Sequence, residues 1–259
     1  MMRRLLKFIR RKWANVSFTK KFDVKLDRPI VSFTFDDAPI SAFLNGGSVL
    51  SKFGFGGTFY ISLSLMNGAD PETRFTVQQL KDSVAQHNEL GCHTWGHTDL
   101  YRITFEKGKA DIEKNQAEIQ TILPAYKLRN FSYPFGSQTL PIKKFVSTQF
   151  RSARGIEEGI NTDDTDLYNL RTVKLYEKKY PLPFIFNKIN EAQENNGWLI
   201  FYTHDVDEKY TDWGCSPAYF EAVVAECSKR GITVATIDEA LNLIGNSNNR
   251  PANSNRRAG

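Results

Sequence analysis

Cysteine and histidine are scarce in this chain, 3 and 4 among 259 residues. Cys92, Cys215 and Cys227 are odd in number and widely spaced, which argues against a disulfide framework and fits a reducing compartment. No apolar run reaches the roughly 18–20 residues of a membrane span. The first residues lack the apolar core and the small-residue cleavage site of an export signal. There is no glycine-rich phosphate loop and no dinucleotide fingerprint. With 41% hydrophobic and 24% charged residues, the chain is neither mostly disordered nor collagen-like. At this length one core can bury most of the unfolded surface without a disulfide or a structural metal.

Acids are missing from both ends. The net charge is +5, but residues 1–22 hold eight basic residues and no acid, and residues 246–259 hold three and none. The interior carries 23 basic against 29 acidic residues, a net of −6. A domain of that sign is not a phosphate-binding surface, so no nucleic-acid partner is expected. In the basic arm, 1–27, Met2, Leu5, Ile9, Trp13 and Val16 fall at helical spacing. Two readings stand: a basic amphipathic helix resting on an anionic membrane through residues 1–20, or a loosely ordered arm. Without an export signal, the expected location is cytoplasmic, peripheral to the inner face of the membrane. Residues 244–259, rich in Asn and Ser, are expected to form a disordered basic tail.

Between the ends, 28–243 alternates strand-like and helix-like segments. Strands are predicted at Ile30–Phe35, Gly57–Ser62, Cys92–Thr94, Phe131–Tyr133, from Arg151, at Gly197–Thr203 and at Ile232–Thr236. Helices are predicted between them, including Thr76–Leu90 with Gly91 as its stop and Ile237–Leu243. This alternation implies one α/β domain of parallel strands and helical crossovers. Asp36-Asp37, His93 and His97, Pro134-Phe135-Gly136 and His204-Asp205 all follow the ends of strands, the face on which α/β barrels build active sites.

Each of these groups has an ordinary explanation when taken alone. His93 and His97, four apart, can reach one ion from a tight loop, but such pairs also arise on surfaces by chance. Asp36 and Asp37 repel each other unless something compensates; a metal would absorb one charge and leave the other as a base, while a solvated helix-capping turn is the alternative. His204 suits a general acid kept protonated by a neighbouring carboxylate, or a histidine bonded within the barrel rim. Together they describe one layout: an ion site, a spare carboxylate and a third imidazole. Cys92 reads as a core thiol, Gly214–Pro217 as a turn and helix start, and Asp163-Asp164-Thr165-Asp166 as a solvated turn.

Thr34-Phe35-Asp36-Asp37-Ala38-Pro39, His93-Thr94-Trp95-Gly96-His97, the Ser132–Gly136 segment and Phe201-Tyr202-Thr203-His204-Asp205, in this order, resemble the polysaccharide deacetylase (NodB-homology) family of carbohydrate esterases. The resemblance implies a distorted (β/α)7 barrel over 28–243. It implies that Asp36 is the catalytic base, that Asp37, His93 and His97 hold a divalent metal, and that Thr94 braces the metal loop. It further implies that the Phe135 N–H holds the oxyanion and that His204 is the catalytic acid. The ion expected is Zn²⁺, with Co²⁺, Mn²⁺ or Ni²⁺ fitting the same ligands. The expected substrate is an acetylated saccharide, with removal of acetyl from an N-acetylated amino sugar. An O-acetyl esterase, another C–N amide hydrolase, or a non-catalytic glycan-binding protein using Trp95, Tyr133, Phe135 and Trp213 are the alternatives. Three positions depart from the family pattern. Ala38 replaces a glycine, a mild change if its φ is negative. Ser132 stands where an arginine often orients the base, leaving Arg129, Arg154 or Arg171 to supply that charge. Tyr202 replaces a leucine that lines the acetyl pocket.

Overall fold

Aromatic and polar residues alternate along the first long strand, and that alternation divides the molecule into an apolar sleeve and a polar bore. The computed structural model describes residues 20–66 and 74–248. In β2 (Ile30–Asp36), Phe33 and Phe35 point outward. Phe33 meets Phe220 edge-on at 5.4 Å and Phe35 stacks on Phe59 at 4.6 Å. Ser32, Thr34 and Asp36 point inward; Ser32 Oγ accepts a hydrogen bond from the Trp198 indole at 3.0 Å. A side-chain period of 2 makes this division automatic once the sheet closes.

It does close. β2, β3 (Thr58–Ile61), β4 (Glu89–Cys92), β5 (Asn130–Ser132), β6 (Ser152–Glu158), β8 (Leu170–Lys174) and β9 (Trp198–Thr203) form a ring of parallel pairings, sealed by β9 against β2 from Ile30–Trp198 to Phe35–Thr203. This is a seven-stranded (β/α) barrel, the architecture the motifs imply. A short strand, β10 (Thr233–Val234), pairs with the start of β2, where β3 has not yet begun. A two-stranded ribbon of β1 (Lys21–Phe22) and β7 (Thr165–Asp166) lies outside the ring. The α-helices among the described residues are α1 (Gly47–Lys52), α2 (Val77–Ala85), α3 (Phe105–Ile122), α4 (Leu140–Gln149), α5 (Leu182–Glu194), α6 (Pro217–Lys229) and α7 (Ile237–Asn248). α6 begins as its sequence dictates, with Ser216 Oγ accepting from the Tyr219 N–H and Pro217 in the first turn. Among the described residues no helix is long and apolar enough to cross a membrane.

Several expected boundaries shift. α2 ends at Ala85, not Leu90, because His87 turns left-handed (φ 62°) and Glu89–Cys92 pairs with β3 instead. Gly91 is therefore no helix stop. It lies inside a strand, where a Cβ would fall 2.5 Å from the Tyr60 ring. β8 goes unread in the sequence, since Leu170–Lys174 mixes buried and charged residues without an aromatic run. The folded body starts before residue 28, with β1 paired and Val24 buried, and α7 runs to Asn248, past the expected edge at 243. The proposed membrane-facing helix and the rest of the tail lie outside the described residues.

Candidate active site

The upper mouth of the bore collects every residue singled out for chemistry. Asp36, Asp37, His93, His97, Phe135 and His204 all line one cavity of about 390 Å³ at the C-terminal ends of the strands.

Asp37, His93 and His97 form a compact donor set, with one ligand atom from each lying within 4.8 Å of the others. His93 follows β4 and is buried. Its Nδ1–H donates to the Ser132 carbonyl at 2.8 Å, which leaves the Nε2 lone pair free to face Asp37 Oδ1 at 3.6 Å. His97 Nε2 faces the same oxygen at 3.1 Å. Burial lowers the His93 pKa to about 3 despite the upward pull of Asp36, so its imidazole is neutral. Burial also lowers that of His97. Asp37 Oδ1 is buried with no hydrogen-bond partner, and burial raises its pKa to about 6 against the pull of His204. Two neutral imidazoles and an unpartnered carboxylate oxygen share a focus, a set that fits a divalent cation.

The loop bearing the histidines is braced from outside. Thr94 Oγ1 accepts from the Thr98 N–H at 3.1 Å, and Asp111 on α3 accepts from the Gly96 N–H at 3.2 Å. Trp95 turns away to α3, donating to Glu118 at 2.7 Å, with Lys114 over its ring. It is not part of the rim, and neither is Tyr133, which is buried and bonded to the Tyr168 carbonyl. The rim aromatics are Phe135 and Trp213, 59% and 54% exposed, and Tyr176 meets Trp213 edge-on at 5.7 Å.

Asp36 sits one residue from the donor set in a different environment. Arg154, fully buried on β6, donates to Asp36 Oδ1, and Ser132 Oγ donates to the same atom at 3.3 Å. Burial alone would raise the Asp36 pKa. Arg154, with His93 and His204, brings it down to about 2. The strand register explains the arginine's origin: Arg154 is the direct neighbour of Ser132. The small serine leaves room, and the guanidinium enters from the next strand, sandwiched between the Tyr60 and Tyr202 rings at 5.1 and 4.7 Å. Arg129 pairs instead with Asp238 at 3.5 Å, and Arg171 is exposed. Tyr202 thus covers the arginine and meets Tyr176 edge-on at 5.5 Å.

His204 follows β9, and its Nδ1 contacts the Trp213 carbonyl at 3.2 Å, a bond that fixes the ring. Asp205, next in sequence, turns elsewhere. That carboxylate accepts from Thr211 N–H and Oγ1 at 2.7 and 2.6 Å and shapes the 205–215 loop. Phe135 sets its ring against His97, centroids 4.5 Å apart and tilted by 55°, and its backbone adopts φ 57°. The Phe135 N–H has no hydrogen-bond acceptor among the described residues.

Backbone strain gathers here. Nine described non-glycine residues have positive φ, and Asp37, Ala38, Thr94, His97 and Phe135 are all in these loops. The Ala38 φ is 46°, so replacement of the family's glycine is not mild: a left-handed alanine costs roughly 1–2 kcal/mol. Sequence reasoning also passed over Lys174, Tyr176 and Ile156, which line the cavity from strands it read poorly or not at all.

Comparison with known proteins agrees with this geometry. Residues 23–149 match the polysaccharide deacetylase family model. A search of curated protein sequences finds no match. Among solved structures, peptidoglycan deacetylase PdaC from Bacillus subtilis superposes with TM-score 0.57 at 16% identity over 87% of this chain and 96% of that one. The Xyl-CE4 domain of a multidomain xylanase from the hindgut metagenome of Trinervitermes trinervoides gives 0.61 at 12% identity, over 85% and 92%. BA3943, a CE4 family pseudoenzyme from Bacillus anthracis, gives 0.60 at 14%, over 85% and 67%. The motifs, the closed seven-stranded barrel and the family match converge: the chain carries a polysaccharide deacetylase domain, matched over residues 23–149.

Proposed function

We propose that this protein is a metal-dependent hydrolase that removes acetyl from an N-acetylated amino sugar. The observation that carries the reading is the second carboxylate. Beside the Asp37–His93–His97 donor set, Asp36 is held ionised by its own arginine and lies outside that set. Asp37, His93 and His97 would hold a divalent ion, whose Lewis acidity would lower the pKa of water toward neutrality and polarise the amide carbonyl.

The chain's own groups supply the rest. Asp36, anchored through Oδ1, takes a proton from the attacking water on its other oxygen. The Phe135 N–H donates to the carbonyl oxygen as it gains charge, a contact typically worth about 3 kcal/mol. Nδ1 of His204 is held by Trp213, so Nε2 is the atom that delivers a proton to the leaving nitrogen. The C–N bond breaks, and acetate and a free amine leave. Phe135 and Trp213 flank the mouth as apolar faces for a sugar ring. The same reading places the chain in the cytoplasm, against an anionic membrane through residues 1–20, supported by the acid-free basic stretch in 1–22.

The test is acetate release by the metal-supplied protein from N-acetylglucosamine oligomers and, in parallel, from O-acetylated xylan oligomers. Turnover of the N-acetyl substrate is expected. Turnover of the ester alone would move the activity to O-deacetylation, and ion binding without turnover of either would leave a glycan-binding protein.

A further inference from the structure

The far wall of the cavity carries a cation that the hydrolysis does not use. β8 ends on Lys174, which is the register partner of Tyr202 on β9. Arg171 is exposed and Thr172 buried on β8, and the same alternation carries the Lys174 side chain into the cavity that it lines. Its Nζ lies 5.8 Å from the centre of the Tyr202 ring and makes one long hydrogen bond, 3.4 Å, to the Ile156 carbonyl.

No carboxylate pairs with it among the described residues. Glu158, the acid that acts on it electrostatically, is engaged by Lys188 at 3.5 Å, and Asp36 is matched by Arg154. A second cation, Lys179, stands at the rim with Nζ 4.5 Å from the Trp213 ring and 5.8 Å from that of Tyr176. Burial lowers the Lys174 pKa, Glu158 opposes this, and Lys179 and Arg154 add to it. A half-buried ammonium beside like charges is unfavourable unless a ligand brings the counter-charge.

We propose that Lys174, with Lys179 at the rim, receives an anionic group carried by the saccharide, so that the preferred substrates are acidic glycans bearing a carboxylate or a phosphate. The inference rests on the deacetylase reading and narrows its substrate class. Lys174 is a specificity-determining residue in this account: it contacts the sugar's acidic substituent and not the scissile amide.

The experiment compares kcat/KM on three acetylated probes: a neutral N-acetylglucosamine oligomer, N-acetylglucosamine 6-phosphate, and an oligomer containing N-acetylmuramic acid. The phosphate and carboxylate arms separate the two sources of charge. The wild type is expected to favour at least one acidic probe tenfold or more, with the advantage shrinking as salt rises. Lys174→Gln should cut the acidic-to-neutral ratio at least tenfold, and Lys174→Arg should restore most of it. A wild-type ratio near one, or a ratio unmoved by Lys174→Gln, overturns the proposal. If no probe is turned over, the deacetylase reading fails on its own, and calorimetric titration with N-acetylglucosamine 6-phosphate decides the lysine's role. At least fivefold weaker binding to Lys174→Gln supports it, and equal binding overturns it.

Discussion

Two carboxylates are buried at opposite ends of the same bore, and their pKa values are pushed in opposite directions. At the floor, Glu89 receives hydrogen bonds from Asn130 at 2.6 Å, Thr58 at 3.0 Å and the Asp238 N–H at 2.9 Å. No ion pair forms with it among the described residues, and burial raises its pKa to about 7. At the mouth, Asp36 is equally buried, yet Arg154 keeps it near 2. Burial is common to both, so burial does not decide the outcome; the guanidinium does. The floor carboxylate ties the start of α7 to the barrel. The mouth carboxylate is held ionised. The two ends also differ in backbone, since the strained left-handed residues Asp37, Ala38, Thr94, His97 and Phe135 all belong to the mouth.

The largest effect expected is at the mouth itself. Asp36→Asn keeps the shape, removes the proton acceptor, and should lower kcat about 10³-fold or more in an acetate-release assay. The midpoint of thermal unfolding should fall as well, because Arg154 then stays buried without its carboxylate.

Arg154→Met should come next, because it makes the mouth resemble the floor. A buried carboxylate stripped of its cation costs roughly 3–5 kcal/mol and is driven toward its protonated form. Activity should fall at least tenfold and the midpoint of unfolding should drop, with Arg154→Lys intermediate. In the Asp36→Asn/Arg154→Met double variant the unfolding midpoint should recover part of that loss, since neither charge is then alone. A double variant as unstable as the sum of the singles would show that the pair is not coupled.

The smallest effect on activity is expected from Glu89→Gln, and its signature is in stability against pH. The folded-state pKa of Glu89 is raised, so its contribution is fully present below the unfolded value of 4.5 and is lost as pH climbs toward about 7. Asp36 has the opposite sign: its contribution is lost as pH falls from 3.8 toward about 2. Wild-type stability should therefore decline between about pH 4.5 and 7 by up to roughly 3 kcal/mol relative to Glu89→Gln. Parallel unfolding curves across that range would remove the contrast between floor and mouth.

What the sequence disclosed follows the same division. Asp36, Asp37, His93, His97 and His204 were legible because each follows a strand whose alternation is plain, and a strand end in a barrel fixes a direction. Arg154 was legible only as one of three candidates. Its choice depends on the Ser132–Arg154 register between two strands, which pattern along one strand does not contain. Lys174 was illegible because β8 carries no aromatic run to mark it. The cost at Ala38 was left open because its φ is set by the loop and not by its own residue type. Asp205 turns away from His204 because neighbouring side chains diverge at a strand end.

The central claim is that one ion, held by Asp37, His93 and His97, serves a site in which Asp36 is a separate, ionised base. The direct measurement is metal content by equilibrium dialysis, read beside acetate release, for the wild type, Asp36→Asn and the His93→Ala/His97→Ala double variant. The account predicts one tightly bound divalent ion per chain in the wild type and in Asp36→Asn, turnover only in the wild type, and loss of both ion and turnover in the double variant. Metal bound by the double variant as tightly as by the wild type, or wild-type turnover that persists after the ion is stripped, would contradict it.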